Sequence, residues 1–333
     1  MSEKRVLLFG DINVDNLMIM PEIPVPGRDG LATRLETHIG GAVVNTAGLL
    51  KCMGVDAHLI GAIGQDFWAE YAIRTLNKEG IVHDYVIKSD RDQTGLIFVA
   101  VTSNGERTML SYRGVNSAFG PDDFHSDALE GTDFLQISGY VFLEESTWKA
   151  AQKMIGLAAE KKIPIGLDTG LDPVILHSER FLEILHQVDV LITGKQEAEQ
   201  LTGLTKTEAQ IRALAEMGPR KVTLKYGDKG ALLSTSTESV QLPAASVSVV
   251  DTTGAGDAYS AGIVLGELVQ LPLKQQLTLA IAMGSKSTES LGAARFNKAE
   301  FLQFLINQSQ KATAFSEAAA DLLAILEDKH DFG

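Results

Sequence analysis

The segment Asp251-Thr252-Thr253-Gly254-Ala255-Gly256-Asp257 leads directly into a stretch of mainly apolar residues. The apolar residues of that stretch recur at the spacing of one helix face: Ala261, Val264, Leu265 and Leu268. This periodicity predicts a helix, and it places the Gly-Ala-Gly-Asp run at the helix N-terminus. Unpaired amide groups and the positive end of the helix dipole make such a terminus an anion site.

The residue types in this run suit a phosphate and a group that accepts a proton. Gly254 and Gly256 let the backbone approach a phosphate without obstruction from a side chain. Asp257 stands beside the anion site, where its carboxylate could accept a proton from a hydroxyl group during phosphoryl transfer. Taken alone, a Gly-x-Gly-Asp run also fits a turn followed by a helix-capping aspartate.

Short β-rich runs alternate with helical patterns through most of the chain, which predicts an α/β fold with a mainly parallel sheet. Several of the runs are almost continuously apolar, as strands buried on both faces require. The candidate strands are 6–9, 57–63, 134–137, 163–167, 188–192 and 221–224. The candidate helices are 66–79, 145–161, 195–217, 256–269, 273–290, 298–307 and 313–327.

Two segments interrupt this alternation. Within residues 94–113, two β-like runs are joined across Ser103-Asn104-Gly105, and Asn-Gly is the preferred pair of a tight hairpin turn. Within residues 14–38, the stretch 32–37 resembles another exposed strand. We therefore expect the two segments to pair into a small β-sheet lid outside the main fold.

The composition narrows the classes of partner. The 333-residue chain carries a formal charge of -14, whereas nucleic acids and anionic membranes are bound through Lys and Arg. We therefore expect no nucleic-acid partner and no membrane attachment. Cys52 is the single cysteine, so no intramolecular disulfide can form, and we expect a cytoplasmic protein. No interdomain linker is evident, which predicts one domain across residues 1–333.

Three segments resemble the signatures of one family, the ribokinase-like or PfkB carbohydrate kinases. The run from Asp251 to Asp257 resembles the family's C-terminal signature, and Gly40-Gly41-Ala42-Val43-Val44-Asn45 resembles its sugar-binding signature. The opening Gly10-Asp11-Ile12-Asn13-Val14-Asp15 is similar to its first strand and turn. The resemblance implies a three-layer αβα fold with a β-sheet lid, and an enzyme that uses ATP and Mg²⁺.

The resemblance also implies roles for individual residues. The catalytic residues would be Asp257 as the base and Gly254, Ala255 and Gly256 as the anion hole for the γ-phosphate. The sugar-binding residues would be Asn13, Asp15, Gly40, Gly41, Asn45 and Arg113. The nucleotide-binding residues would be Lys225, Gly227 and Gly230. For that last loop, a hairpin turn with two glycines is an equally good explanation.

Two metal sites follow from the same resemblance. Glu197 lies at the acidic position associated with magnesium, although Gly194 stands where many members have asparagine. Magnesium would then be held largely by water and by ATP oxygens, with Glu197 acting indirectly. Asp251 and Thr253 correspond to oxygen ligands of a monovalent cation such as K⁺. The alternative for Asp251 is a strand-end residue that hydrogen-bonds to its own turn.

These observations predict an ATP-dependent kinase that phosphorylates a hydroxymethyl group of a sugar or sugar-like molecule. Ala42 and Val43 depart from the ribokinase pattern and weaken the case for ribose, while Arg113 could bind an acidic or phosphorylated sugar. A nucleoside kinase of the same fold and a catalytically silent sugar- or nucleotide-binding regulator remain alternatives. The sequence lacks a Gly-x-Gly-x-x-Gly turn after its first strand and a Walker A loop, which disfavours dehydrogenases and P-loop kinases.

The predicted lid also bears on oligomeric state. The run from Leu96 to Val101 offers apolar side chains to both faces of its strand, and Phe98 and Val99 lie on opposite faces. One face would cover the sugar site, and the other face needs cover of its own. We therefore expect a homodimer contact through the lid, with packing against the main domain as the alternative.

Overall fold

The buried β-rich runs pair into one large sheet at the centre of the fold. The computed structural model describes residues 4–102 and 107–328. Within these ranges the strands are β1 (Arg5–Phe9), β2 (Asn13–Met20), β3 (Arg34–Gly40), β4 (Asp56–Ile63), β5 (Val82–Lys88), β6 (Gly95–Thr102), β7 (Arg107–Tyr112), β8 (Phe134–Ser138), β9 (Ile165–Asp168), β10 (Val190–Gly194), β11 (Lys221–Lys225), β12 (Ala231–Ser234) and β13 (Ser239–Leu242). The large sheet has the order β13-β12-β11-β10-β9-β8-β1-β4-β5, and its described pairings are parallel except for β11 with β12 and β12 with β13. The predicted mainly parallel sheet is confirmed.

Helices cover both faces of the large sheet. They are α1 (Ala42–Cys52), α2 (Phe67–Glu79), α3 (Glu145–Glu160), α4 (Leu171–Ile184), α5 (Lys195–Thr202), α6 (Thr207–Glu216), α7 (Ala255–Leu268), α8 (Leu273–Ser287), α9 (Lys298–Ser309) and α10 (Ser316–Asp328). One core receives the apolar residues of α1, α2 and α7 to α10, and a second core receives those of α3 to α6. This is the predicted three-layer αβα arrangement. In the described ranges, no helix combines the length and the apolar character needed to cross a membrane.

The alternation of side chains along β1 shows how the two cores are filled. Val6 and Leu8 point into the first core, whereas Leu7 and Phe9 point into the second, and all four are at most 1% exposed. β1 pairs with β4 on one side and with β8 on the other. Burial on both faces explains why the strand sequences are almost continuously apolar.

The helical region after β9 differs from the sequence prediction. A single helix over residues 195–217 is wrong, because Gly203 adopts a left-handed conformation (φ 68°) that ends α5 before α6 begins. The sequence pattern also does not predict α4. This helix carries Pro173 in its first turn and is kinked at His177, whose backbone is not helical, so its periodicity is broken.

The two interrupting segments form the small sheet, whose strand order is β3-β2-β6-β7. β2 pairs antiparallel with β3 and parallel with β6, and β6 pairs antiparallel with β7. The pairing of the two segments is therefore as predicted. The predicted turn Ser103-Asn104-Gly105 lies outside the described residues.

The register of the small sheet separates its side chains into two faces. The inner face includes Asp15, Leu17, Val99 and Arg107. The outer face includes Leu35, Phe98, Leu110 and Tyr112. Leu17 and Val99 are buried, whereas the four outer-face residues are 40–68% exposed. The predicted opposition of Phe98 and Val99 is confirmed, with Val99 in the covered part of the inner face and Phe98 on the outer face.

Helices α7 and α8 pack closely at Gly262, which gives a test of the fold. A Cβ atom at Gly262 would lie 2.5 Å from the Cα atom of Ala280, so Gly262→Ala must push the two helices apart. We expect this variant to lose about 1–3 kcal/mol of unfolding free energy. Gly156→Ala in α3 is the matched control, because no atom lies within 4 Å of its Cβ position, and it should be neutral or stabilising. Urea unfolding measures the unfolding free energy of both variants. Equal values would rule out this close packing.

Candidate active site

Polar side chains gather at the carboxyl ends of the parallel strands. Asp11 follows β1, Asp168 ends β9 and Lys225 ends β11. The N-terminal part of α7 lies at the same edge, because Ser260 donates a hydrogen bond to Oδ2 of Asp168 at 2.5 Å. In open α/β sheets, ligands bind outside the carboxyl ends of the strands. This edge, together with the inner face of the small sheet, is the candidate active site.

The Gly-Ala-Gly-Asp run forms the first turn of α7, as predicted. Gly254 precedes the helix in a left-handed conformation (φ 72°), and no side chain caps this end. The amide of Ala255 donates to the carbonyl oxygen of Thr252 at 3.2 Å. The amides of Gly256 and Asp257 have no acceptor within the helix, because the first turn of an α-helix has none to offer. These amides are the ones that α7 can direct at an anion.

Asp257 is held beside this anion site by α1. Nδ2 of Asn45 donates to Oδ2 of Asp257 at 2.8 Å, and the hydroxyl of Thr46 donates to its carbonyl oxygen at 3.2 Å. Desolvation of the carboxyl group raises the pKa of Asp257 to about 6; the Asn45 hydrogen bond opposes this shift, and the charge of Asp168 adds to it. A carboxyl group with this pKa is ionised at neutral pH and still accepts a proton readily.

Lys225 places a positive charge next to the same turn of α7. Its Nζ lies 3.0 Å from Oδ1 of Asp168 and 3.8 Å from the position that a Cβ atom on Gly256 would take. Burial lowers the pKa of the Lys225 amine, but the charge and hydrogen bond of Asp168 outweigh it, so the pKa lies above its ordinary value. Lys225 is therefore a fixed cation beside the anion site.

Asp15 lies on the inner face of the small sheet and faces Asp257. Desolvation raises the pKa of Asp15 to about 7, while His38 lowers it and the charge of Asp257 raises it further. Its Oδ1 is buried without a hydrogen-bond partner. Gly40 makes this placement possible, because a Cβ atom there would lie 2.1 Å from Oδ2 of Asp15. Gly41 follows as the residue that precedes α1.

The remaining predicted sugar-binding residues form two pairs near the end of β1. Nδ2 of Asn116 donates to Oδ1 of Asn13 at 2.9 Å. Arg113 donates through Nε and Nη2 to the two carboxylate oxygens of Asp11, at 2.8 and 2.9 Å. Asp11 therefore occupies the guanidinium fork that the sequence predicts for an acidic or phosphorylated sugar. Nη1 of Arg113 is buried without a hydrogen-bond partner.

The predicted nucleotide loop connects β11 to β12. Gly227 begins a short 3₁₀ turn with positive φ, and its Cβ position is open. Gly230 has a structural reason to be glycine, because a Cβ atom there would lie 2.0 Å from the carbonyl oxygen of Leu242. The hairpin explanation of the two glycines is thus correct in its geometry, and their contact with a nucleotide stays a prediction.

Glu197 lies in the first turn of α5, close to Gly194. A Cβ atom at Gly194 would lie 2.3 Å from Oε2 of Glu197, so the carboxylate occupies space that a larger residue at position 194 would need. The charge of Glu197 also raises the pKa of Lys225. Among the described residues, no group of three or more His, Cys, Asp or Glu side chains is arranged to hold a metal ion.

The predicted monovalent-cation ligands are engaged by an arginine. Oδ1 of Asp251 forms an ion pair with Nη2 of Arg107, and Nη1 of Arg107 donates to the hydroxyl of Thr253. A cation placed between these oxygens would meet the positive guanidinium at close range, which is repulsive. The side chains of Asp251 and Thr253, as arranged here, do not fit a second cation.

Several residues of the site are absent from the sequence prediction: Asp168, Ser260, Asn116, Tyr140 and Arg107. Asp168 had a usable signal, because it ends a buried strand at the sheet edge where ligands bind. Tyr140 is recognisable only in the folded protein, where burial and the charges of Asp172, Asp257, Asp11 and Asp168 raise its pKa to about 12. The charges of those four carboxylates therefore act on the Tyr140 hydroxyl.

Several known proteins resemble this chain in sequence or in fold. Residues 3–300 match the pfkB family of carbohydrate kinases. The ATP-dependent ribose-1-phosphate kinase of Halopiger xanaduensis is 29% identical over 289 residues, which cover 87% of this chain and 93% of that protein. The ribokinase structure from Thermotoga maritima superimposes with a TM-score of 0.78 at 22% identity, covering 91% of this chain and 99% of that one. A structure from E. coli, in complex with ATP and Mg²⁺, superimposes with a TM-score of 0.83 at 18% identity. The match covers 91% of this chain and 99% of that one.

The chain therefore belongs to the pfkB family of carbohydrate kinases. The resemblance carried by the three sequence segments is confirmed, and so are the ribokinase-like fold and the assignment as a carbohydrate kinase. At 22% and 18% identity, the two solved structures show the fold of this chain alone.

The raised pKa of Asp15 gives a test that needs no substrate. The ordinary pKa is 3.8 and the folded value is about 7, so ionisation destabilises the folded state progressively as the pH rises from about 4 to 7. The amide of Asp15→Asn cannot ionise, so the variant does not lose this stability as the pH rises. We expect it to melt at least about 2 °C above the wild type at pH 8, with the difference shrinking at pH 4.5. The exposed Asp127→Asn is the control, and a difference independent of pH would contradict the assigned burial.

Proposed function

We propose that this protein transfers the γ-phosphoryl group of ATP to a hydroxymethyl group of a sugar or sugar-like acceptor, with Asp257 as general base. The observation that carries the proposal is the position of Asp257. Its carboxylate lies in the first turn of α7, beside amides without intrahelical acceptors, and Asn45 holds it from the acceptor side. Base and anion site are therefore next to each other, as phosphoryl transfer to a hydroxyl requires.

Three buried polar atoms without hydrogen-bond partners suit a polyol. Oδ1 of Asp15 and Oδ1 of Asn45 are acceptors, and Nη1 of Arg113 is a donor. A buried polar group without a partner is costly, so a ligand that satisfies it gains specificity. A sugar carries hydroxyl groups that both donate and accept. Because Asp11 neutralises Arg113, we propose an acceptor without a charge at that position.

The proposed chemistry follows from these contacts. Nδ2 of Asn45 occupies Oδ2 of Asp257 and leaves Oδ1 for the acceptor hydroxyl. As the hydroxyl oxygen bonds to the γ-phosphorus, its proton passes to Asp257 and the bond to the leaving ADP oxygen breaks. The amides at the start of α7 and the Lys225 ammonium stabilise the negative charge on the phosphoryl oxygens.

The residues that follow β10 and β11 also fit magnesium and a nucleotide. Magnesium, when bound with ATP, supplies charge neutralisation on the phosphates. Glu197 would act on it through water, because Mg²⁺ usually keeps several water ligands. The open Cβ position of Gly227 leaves room beside that loop, and we propose Lys225, Gly227 and Gly230 as the nucleotide-side residues.

An acceptor screen tests the proposed activity directly. Purified protein with Mg-ATP would be assayed for ADP formation against aldoses, ketoses, sugar acids, sugar phosphates and nucleosides. We expect the highest kcat/KM with an uncharged sugar. Preference for a nucleoside or a sugar phosphate would overturn the proposed acceptor class, and no turnover with any acceptor would favour a silent binding protein.

Asp257→Asn tests the proposed base. We expect kcat to fall by at least about 10²-fold, because a positioned general base contributes that much or more. ATP and acceptor affinities, measured by calorimetry, should change little. In the wild type, kcat/KM should decline about tenfold per pH unit below pH 6, because protonated Asp257 cannot accept the hydroxyl proton. Near-normal turnover of the variant would remove Asp257 from the mechanism.

We also propose that the small sheet acts as a lid and joins two copies of the chain through its outer face. The exposed side chains of Leu35, Phe98, Leu110 and Tyr112 form an apolar patch on this face. Contiguous exposed apolar patches mark interaction sites more often than isolated apolar residues do. A second copy of the same face is self-complementary in a two-fold dimer.

Light scattering at micromolar concentration tests the dimer. We expect a dimeric wild type and a folded, monomeric Phe98→Asp variant, because a charge in the outer-face contact is costly to bury. Val99→Asp, on the buried inner face, should impair acceptor binding instead. Ile175→Asp is the control, since Ile175 is 53% exposed in α4, away from the small sheet. A monomeric wild type contradicts the dimer.

A further inference from the structure

Arg107 reaches from the small sheet to the loop that precedes α7. Arg107 pairs with Val101 at one end of the small sheet. Asn13 pairs with Gly95 at the opposite end, where the small sheet joins the main sheet. The Arg107 side chain lies on the inner face. The guanidinium contacts the carboxylate of Asp251 and the hydroxyl of Thr253, which lie four and two residues before Ala255, the first residue of α7.

Asp251 organises the backbone around the anion site. Its Oδ1 accepts the amide of Thr253 at 2.6 Å, and its Oδ2 accepts the amide of Gly292 at 2.7 Å. It thereby ties the loop before α7 to the segment after α8. The Asp251 side chain is 0% exposed, and that of Arg107 is 17% exposed. A carboxylate buried to this degree needs a countercharge, and Arg107 supplies it.

We propose that Arg107 is the built-in cation of this enzyme, a positioning residue that does the work for which the sequence resemblance predicts a monovalent ion. With Arg107 in place, the buried charge of Asp251 is balanced, and Asp251 holds the loop from Asp251 to Gly254 in the geometry that aims the α7 amides. This role rests on the proposed function, because it acts through the anion site. It follows that turnover does not depend on K⁺.

The role also connects the small sheet to the chemistry. Arg107 is contributed by the same sheet as Asp15, which faces Asp257 on the acceptor side. When the small sheet lies over the site, it brings both the acceptor-binding carboxylate and the countercharge of Asp251. Phosphoryl transfer is therefore favoured only while the small sheet covers the site.

Salt dependence and cation rescue test the proposal. ADP formation with the best acceptor would be measured in choline, sodium and potassium chloride at equal ionic strength. Wild-type kcat should vary by less than about twofold, whereas kcat of Arg107→Ala in choline chloride should fall at least about tenfold, since the transition-state donors lose their positioning. Potassium should restore a large part of that loss by entering the vacated position, and acceptor KM should change less than kcat.

Two further variants complete the design. Arg34→Ala is the matched control, because it removes an arginine of the small sheet that pairs with Glu36 and is 64% exposed. It should resemble the wild type in every salt. Arg107→Lys keeps the charge and should retain more activity than Arg107→Ala without potassium. Strong potassium activation of the wild type, or full activity of Arg107→Ala in choline chloride, overturns the proposal.

Thermal unfolding without substrates separates this inference from the kinase proposal. Arg107→Ala should melt below the wild type in choline chloride and recover in potassium chloride, whereas the wild type and Arg34→Ala should show no potassium-specific shift. If no acceptor is phosphorylated, the proposed function fails while the melting data still report on Arg107. Arg107→Ala melting like the wild type in every salt removes the countercharge role.

Discussion

The hydrogen bond from Asn45 to Asp257 is the contact around which the site is arranged. It joins α1, which continues from the small sheet, to α7, which carries the anion site. Both helices bury apolar residues in the same core, so the carboxyl group is enclosed where they meet. That enclosure raises the pKa of Asp257 and fixes one of its oxygens. In the proposed mechanism, one hydrogen bond and the helix packing beneath it thereby set the acceptor side of the cleft relative to the phosphate side.

The carboxylates around this contact differ in whether a cationic side chain balances their negative charge. Asp11 is paired with Arg113, Asp168 with Lys225 and Asp251 with Arg107. These pairs fix loops at the strand ends, and their charges cancel locally. Asp15 and Asp257 have no such cationic partner at ion-pair distance among the described residues, and these two have markedly raised pKa values. The geometry thus separates structural carboxylates from the two that remain available to titrate and to bind.

The sequence predicts the sheet, the start of α7 and most of the residues around it, because local patterns encode them. Two-sided burial gives continuous apolar runs, and the run that ends in Asp257 carries its own helix start. It does not predict Arg107 or Ser260, since their roles arise from partners 144 and 92 residues away in the chain, Asp251 and Asp168. Prediction of local structure is limited in a similar way, because one residue can end or break a periodic pattern. Gly203 divides residues 195–217, and a kink interrupts α4.

The separation of Asn45 and Asp257 along the chain has a consequence during synthesis. They are 212 residues apart, and at roughly 5–20 residues per second a ribosome needs about 10–40 s to connect them. Throughout that interval the apolar side of α1 that will meet α7 has no partner. The emerging chain must remain unaggregated with this surface uncovered, and it gains the proposed catalytic base only when residue 257 has been synthesised.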